Sequence, residues 1–346
     1  MPFRLRKKES ISAAVRRMAR EEIDKAIDEL KEVATGKPSG LHESRKRIKK
    51  LRALVRLVAA RLDRSAKHVI QLLREAAGPL SGARDAQAMV EAFDVLMQTA
   101  LTPEEARDFA PVREVLIARR EAAHESEAQW ATVIAGPIER LREVRAISQG
   151  WTIRPNGFAA LSRGLLKSYR RAVEALHLAY ANPSDEHFHE WRKHVKSHWY
   201  HVRLLRGLWP KLMIATAFEL GTLSDLLGDD HDLAVMRNLL TTDNAAPQVD
   251  RAALLQMIDD RRRALRRSAK VLGQRLFAEK PKQLRRRFRA YWNAWHAEDV
   301  KVEEVLGNVA APAADDAAPA PNSDANASEL PSPPHDQDLP ELAPTI

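Results

Sequence analysis

The chain has 346 residues, no cysteine, and a formal net charge of +9 from 56 Lys and Arg against 47 Asp and Glu. The length predicts two domains of ordinary size, and the lack of cysteine excludes disulfides, thiolate zinc sites, iron–sulfur clusters and a cysteine nucleophile. No apolar run approaches the ~20 residues that cross a bilayer, and the basic Met1–Lys8 leads into no apolar signal region, so a soluble, cytoplasmic protein with no membrane association and an anionic partner is expected.

Apolar residues recur at three and four rather than two, which predicts helices throughout. Ile11, Val15, Met18, Ile23, Ile27 and Leu30 mark a long first helix, broken by Gly36-Lys-Pro38-Ser-Gly40. Helical patterns follow at 41–62, 65–77, 83–99, 103–135 and 137–148. A turn-rich stretch, Gly150 to Gly157, separates these from patterns at 157–181, 185–207, 211–227, 231–241, 248–279 and 281–297. The fold class is all-α.

After Asn308 the composition shifts to Ala, Pro, Asp, Asn and Ser, with eight prolines from Pro312 to Pro344. Such a segment buries too little apolar surface to order itself, so about 305–346 is expected to be disordered. Residues 298–346 hold eleven acids and one base, Lys301, a net −10; residues 1–297 keep 55 bases and 36 acids, a net +19. The tail is expected to solubilise the chain or to screen its basic body.

An internal repeat runs through the body. LHESRKRIKKLRALVRLV at 41–58 and FHEWRKHVKSHWYHVRLL at 188–205 align at an offset of 147, which pairs His42 with His189, Arg45 with Arg192, Lys46 with Lys193, Lys49 with Lys196 and Arg56 with Arg203. The same offset pairs Leu80 with Leu227, Asp85 with Asp232 and Met89 with Met236. Two homologous halves of about four helices each, related by a pseudo-twofold axis, are predicted: 5–150, 151–297, and the tail 298–346.

On a helical wheel His42, Arg45, Lys49, Arg52 and Arg56 share a stripe about 80° wide, with Lys46 just beyond it. Leu41, Ile48, Leu51, Leu54, Val55 and Val58 occupy the adjoining face, so the cations border the core rather than oppose it. His189, Arg192, Lys193, Lys196, Tyr200 and Arg203 repeat the stripe, while His198 and His201 fall on the core side. Like charges at these spacings repel. An anion spanning both stripes would offset that cost, with Arg offering phosphate a bidentate fork and Lys a mobile charge.

These residues resemble a known family. The H-x-x-R-K-x-x-K-x-x-R pattern of His42, Arg45, Lys46, Lys49 and Arg52, with its second copy from His189, is similar to the CHAD domain, the conserved histidine α-helical domain. Gly82-Ala-Arg84-Asp85 to Met89, Leu227-Gly-Asp-Asp-His231-Asp232, and Leu276 to Pro281 followed by Trp292 and Trp295 add to the likeness, which covers about 5–297. The resemblance implies two four-helix bundles and binding of inorganic polyphosphate along a basic surface and central cavity, with targeting to polyphosphate granules. It places His42, Arg45, Lys49, Arg52, His189, Arg192, Lys193 and Lys196 at the ligand, and Tyr200 where the family often has tyrosine. One departure is Trp199, which stands where the first copy has Arg52. The chain looks like a stand-alone CHAD protein without a triphosphate-tunnel (CYTH) domain.

The expected protein is therefore a monomeric binder of polyphosphate and other polyanions, without cofactor, metal or catalytic activity. One alternative is a metal-dependent phosphohydrolase built on His231-Asp232, against which the first half offers Arg84-Asp85; helix N-capping by Asp85 and Asp232 is the plainer role. A second is a nucleic-acid binder, although the stripes carry few aromatics for base stacking. A third is a scaffold that docks an acidic protein.

Overall fold

The computed structural model describes residues 3–297 except 38, 63–64, 81, 103, 124–126 and 243–248, with backbone alone at 82–85 and 127–128. The acidic tail and the Arg84-Asp85 side chains lie outside the described residues. Those described form α-helices with no β-strand: α1 Ile11–Ala34, α2 Ser39–Val58, α3 Ser65–Ala77, α4 Gly82–Ala100, α5 Ala110–Ala122, α6 Glu127–Gln149, α7 Phe158–Ala181, α8 Asp185–Leu204, α9 Pro210–Thr242, α10 Arg251–Leu276 and α11 Pro281–Ala297. Short 3-10 turns follow α2 and α8 at Ala59–Arg61 and Arg206–Leu208. None of these helices is long and apolar enough to cross a membrane.

Local signals explain most boundaries. Ser10 caps α1 by accepting a hydrogen bond from the Ala13 N–H at 3.2 Å. The helix stops before Gly36, whose φ of 83° suits glycine. Gly40 lies inside α2 and lets it approach α1 closely, since a Cβ there would stand 2.2 Å from the Glu29 carbonyl oxygen. The bounds of α1 and α7 differ by 147 at both ends, as do the two 3-10 turns.

Three predicted boundaries differ. The pattern at 103–135 is divided: a 3-10 turn at Glu105–Phe109 precedes α5, which has Pro111 in its first turn, and α5 ends at Ala122 before α6 starts at Glu127. Gly136-Pro137 does not end a helix: α6 runs through it, with Ile134, Ile138 and Leu141 buried on both sides of the proline. The predicted pair 211–227 and 231–241 is one continuous helix, α9. In the first half Pro79, which lacks an N–H and clashes with the preceding turn, sits in the 3-10 turn Gly78–Leu80 that separates α3 from α4. Its counterpart in α9 is Leu226, and Gly228 alone costs about 1 kcal/mol, too little to break a packed helix. Asp232 therefore lies within a helix and caps none.

Two hydrophobic cores hold these helices together. The larger joins α1, α2, α3, α6, α7, α8 and α11 with the first part of α9. The smaller joins α4, α5, α10 and the last part of α9 through Phe93, Leu116, Met236 and Ile258. Each core draws on both sequence halves. The closest crossing is α2 on α7, where a Cβ on Gly164 would stand 1.9 Å from the Leu57 carbonyl oxygen.

Two ionic networks back the helices that carry the stripes. Behind α2, buried Glu22 of α1 takes Arg47 at 3.3 Å and buried Lys50 at 3.7 Å, and Arg47 also reaches Glu29 at 3.0 Å. Beside α8, Asp230 of α9 takes Arg262 at 3.0 Å and Arg266 at 2.9 Å, and both arginines also pair with Asp185 at the start of α8.

His198 and His201 are core histidines, as the wheel predicts. The His201 Nε2–H donates to the Ala53 carbonyl at 2.9 Å, so its Nδ1 accepts from Ser168 Oγ, also at 2.9 Å. His198 Nδ1 lies 3.2 Å from the same hydroxyl. Burial pushes His198 down to about 3 and His201 down to about 4.

Two outcomes follow. Gly164→Ala should destabilise the protein by about 1–3 kcal/mol, read by chemical denaturation, because the α2–α7 backbones must part. Since both folded-state pKa values lie below the unfolded histidine value, stability is intact above about pH 6.5 and falls as pH drops toward 4. The loss should be about 1.4 kcal/mol per pH unit for each histidine; urea melts at stepped pH should show it, with a shallower slope in His201→Gln.

Candidate functional site

α2 and α8 carry the two predicted stripes, and the core behind them decides how those stripes lie. Ile48, Leu51, Leu54 and Val55 anchor α2, and Phe188, Trp191, Val195 and Val202 anchor α8. The stripes meet where Arg56 Nη1 donates to Ser197 Oγ on α8 at 3.0 Å.

On α2, His42 and Lys49 are exposed and Arg45, Lys46, Arg52 and Arg56 are half-buried. Arg45 Nη1 donates to the Leu80 carbonyl at 2.8 Å, and Lys46 pairs with Glu43 at 3.5 Å. Among the described residues, the charges acting on Arg56 are all positive. Burial, then Arg52, Arg74 and Arg171, push its guanidinium down to about 10. Burial and Arg74 also lower Arg52, whose Nε is buried without a hydrogen-bond partner. His194 of α8 joins this cluster and is held below its usual value, first by burial and then by Arg171, with Arg56 and Lys193 adding to the effect against Glu190.

On α8, His189, Arg192, Lys196 and Arg203 are half-buried and Lys193 is exposed beside its ion-pair partner Glu190. The Arg192 guanidinium lies on the α9 backbone at Gly228, where a Cβ would stand 2.8 Å from Nη2. Arg45 and Arg192 thus make matching approaches, to Leu80 and to the residue after Leu227. Arg192 Nε and His189 Nδ1 are buried without hydrogen-bond partners. The His189 ring lies 4.4 Å from that of His231, whose Nδ1 is 3.1 Å from Asp232 Oδ1. Burial, then His231, Lys193 and Arg192, push His189 down to about 4 against Glu190.

The second stripe faces carboxylates of α9. Asp225, Asp229 and Asp232 follow one another along a face of α9. Burial and Arg192 push Lys196 down to about 8 against the pull of Asp225 and Asp232. Burial, then Asp225 and Asp232, push Asp229 up to about 6, opposed by Arg261 and Arg192. Burial likewise raises Asp225, against Lys196 and Arg192. The helix positions that match Asp225 and Asp229 in the first half are Gly78 and Gly82.

The structure does not bring Tyr200 to this surface. It is 4% exposed, packs against Trp199, and lies within electrostatic reach of buried Glu22 and half-buried Glu43. Arg203 stacks on the Trp199 ring at 4.7 Å. Sequence reasoning missed Arg74, Arg171 and His194. Arg74 and Arg171 stand on other helices, outside the repeated motif, and His194 sits off the stripe, so no periodicity marks them.

The chain belongs to the CHAD domain family, whose model matches residues 17–241. Its fold is similar to that of PptA from Streptomyces chartreusis, with a TM-score of 0.54 at 17% identity over 78% of this chain and 100% of that one. No curated protein matches the chain.

Lysine-selective NMR titration should show one side chain with a midpoint near pH 8, and that resonance should vanish in Lys196→Arg.

Proposed function

We propose that the protein binds inorganic polyphosphate in the groove between α2 and α8, holding the polyanion without cleaving it. The observation that carries this reading is Arg56: a half-buried guanidinium whose charged neighbours, Arg52, Arg74 and Arg171, are all cations. Clustering like charges out of water is costly, and a polyanion relieves both the repulsion and the desolvation. The buried, unpartnered donors Arg52 Nε, Arg192 Nε and His189 Nδ1 add hydrogen-bonding capacity along the same walls. Membership of the CHAD family agrees with a phosphate polymer as ligand. Recruitment to polyphosphate granules in the cytoplasm is the cellular role this chemistry fits.

Asp225, Asp229 and Asp232 lie against the second stripe and partly neutralise it. Hydrolysis at His231-Asp232 is disfavoured for a related reason: the imidazole is hydrogen-bonded to its own neighbour, and Arg192 and Lys196 counter the carboxylates.

Isothermal titration with long-chain polyphosphate tests the reading. Arg52→Ala and Arg56→Ala should each weaken binding about tenfold or more, without loss of thermal stability, because each removes repulsion from the free protein. Affinity should fall steeply with salt. It should also fall between pH 7 and 9 as Lys196 loses its proton, and Lys196→Arg should flatten that decline. Unchanged affinity in the Arg52→Ala/Arg56→Ala double variant would overturn the assignment.

A further inference from the structure

Helix α11 carries five cations, Lys282, Arg285, Arg286, Arg287 and Arg289, and no acid. Lys282, Arg285, Arg289, Trp292 and His296 fall on one stripe about 80° wide, at 100° per residue. That stripe borders the face by which Leu284 and Phe288 enter the core. Lys282, Arg285, Arg289 and His296 are exposed, and the three cations make no ion pair among the described residues.

The aromatic end of the stripe is built in place. His296 stacks on Trp292 with centroids 4.5 Å apart and planes at 27°. Its Nδ1–H donates to the Trp292 carbonyl at 2.9 Å, which fixes the ring's orientation. Trp292 is braced in turn by Phe158 at 6.3 Å and Trp295 at 5.7 Å. Beside the two rings opens a cleft of about 460 Å³ lined also by Lys7, Lys8 and Ser10. Its one acid, Glu9, is committed to Arg17 at 2.7 Å.

We propose that this stripe and cleft bind single-stranded nucleic acid, with backbone phosphates on Lys282, Arg285, Arg289 and Lys8 and a base stacked on His296. Cations in line with a fixed aromatic ledge are what a strand of phosphates and flat bases requires. Inorganic polyphosphate has no ring to use the ledge, and the α2–α8 groove offers bases none of comparable exposure. A membrane surface fits less well. Insertion needs apolar side chains that protrude, whereas Tyr291, Trp292 and Trp295 pack against the core and the ledge lines a concavity.

The test uses the full chain with a labelled oligodeoxyadenylate about twelve nucleotides long, and an abasic strand of equal length. His296→Ala should weaken oligodeoxyadenylate binding about 5- to 20-fold, within the range for losing one stacked base, and leave the abasic strand unaffected. Arg285→Glu with Arg289→Glu should weaken both strands. Arg52→Ala with Arg56→Ala should leave both unchanged, so failure here and failure of the polyphosphate groove are separable. Unchanged oligodeoxyadenylate affinity in His296→Ala would overturn the proposal. So would loss of that affinity in the groove variant, or binding of phosphatidylglycerol vesicles in preference to the strand.

Discussion

The mutual repulsion of Arg52, Arg56, Arg74 and Arg171 is the constraint around which this molecule is arranged. Half-buried Arg52 and Arg56 of α2 stand within reach of the exposed guanidiniums of Arg74 on α3 and Arg171 on α7, and folding must hold them there. Burial of Leu51, Leu54 and Val55 on the adjoining face of α2 supplies part of that hold. The Glu22 network, which ties α2 to α1, supplies another. It pairs Arg47 and Lys50, the cations of α2 that lie off the stripe. On α2, Arg47 and Lys50 are matched by acids on the α1 side, while Arg52 and Arg56 sit among further cations.

The second half departs from this arrangement through a single backbone event. Where the first half has Pro79 and a 3-10 turn, the second has Leu226 and an unbroken α9. Continuity keeps Asp225, Asp229 and Asp232 in helical register, which aligns them along one wall opposite Arg192 and Lys196. The junction at Arg56 gathers cations, while the α8 stripe is partly neutralised. The depressed proton affinity of Lys196 reflects burial first and then crowding by Arg192, which the acids only partly offset.

Much of this was legible in the chain because it depends on periodicity. The stripe on α2, the core faces of α2 and α8, and the inward turn of His198 and His201 all follow from 3.6 residues per turn. Helix ends at Gly36 and Gly157 follow from φ values that favour glycine. Contacts between helices were not legible. Nothing in the motif marks Arg74 or Arg171, since each joins the cluster only when α3 and α7 pack on α2 and α8. Tyr200 shows the converse. Its wheel position is close to the stripe, but Trp199 and the approach of α1 and α2 enclose it. Gly136-Pro137 reads as a break and is not one, because burial of Ile134 and Ile138 outweighs one missing hydrogen bond.

The body's charge of +19 does not describe a uniformly basic particle. Arg262 and Arg266 are consumed by Asp185 and Asp230, which ties α10 to α8 and α9, and Arg17 by Glu9 just ahead of α1. Among the remaining cations, two groups differ in their chemistry. In the groove they are crowded, desolvated and accompanied by histidines whose rings face other side chains. On α11 they are solvated, spaced a turn apart, and lead to a ring fixed flat against Trp292. Crowding and desolvation favour a ligand of high charge density along its whole length. Solvated spacing that ends at a planar surface favours one that alternates charge with flat apolar groups. Both places attract polyanions at long range, and the short-range contacts are what would separate their ligands.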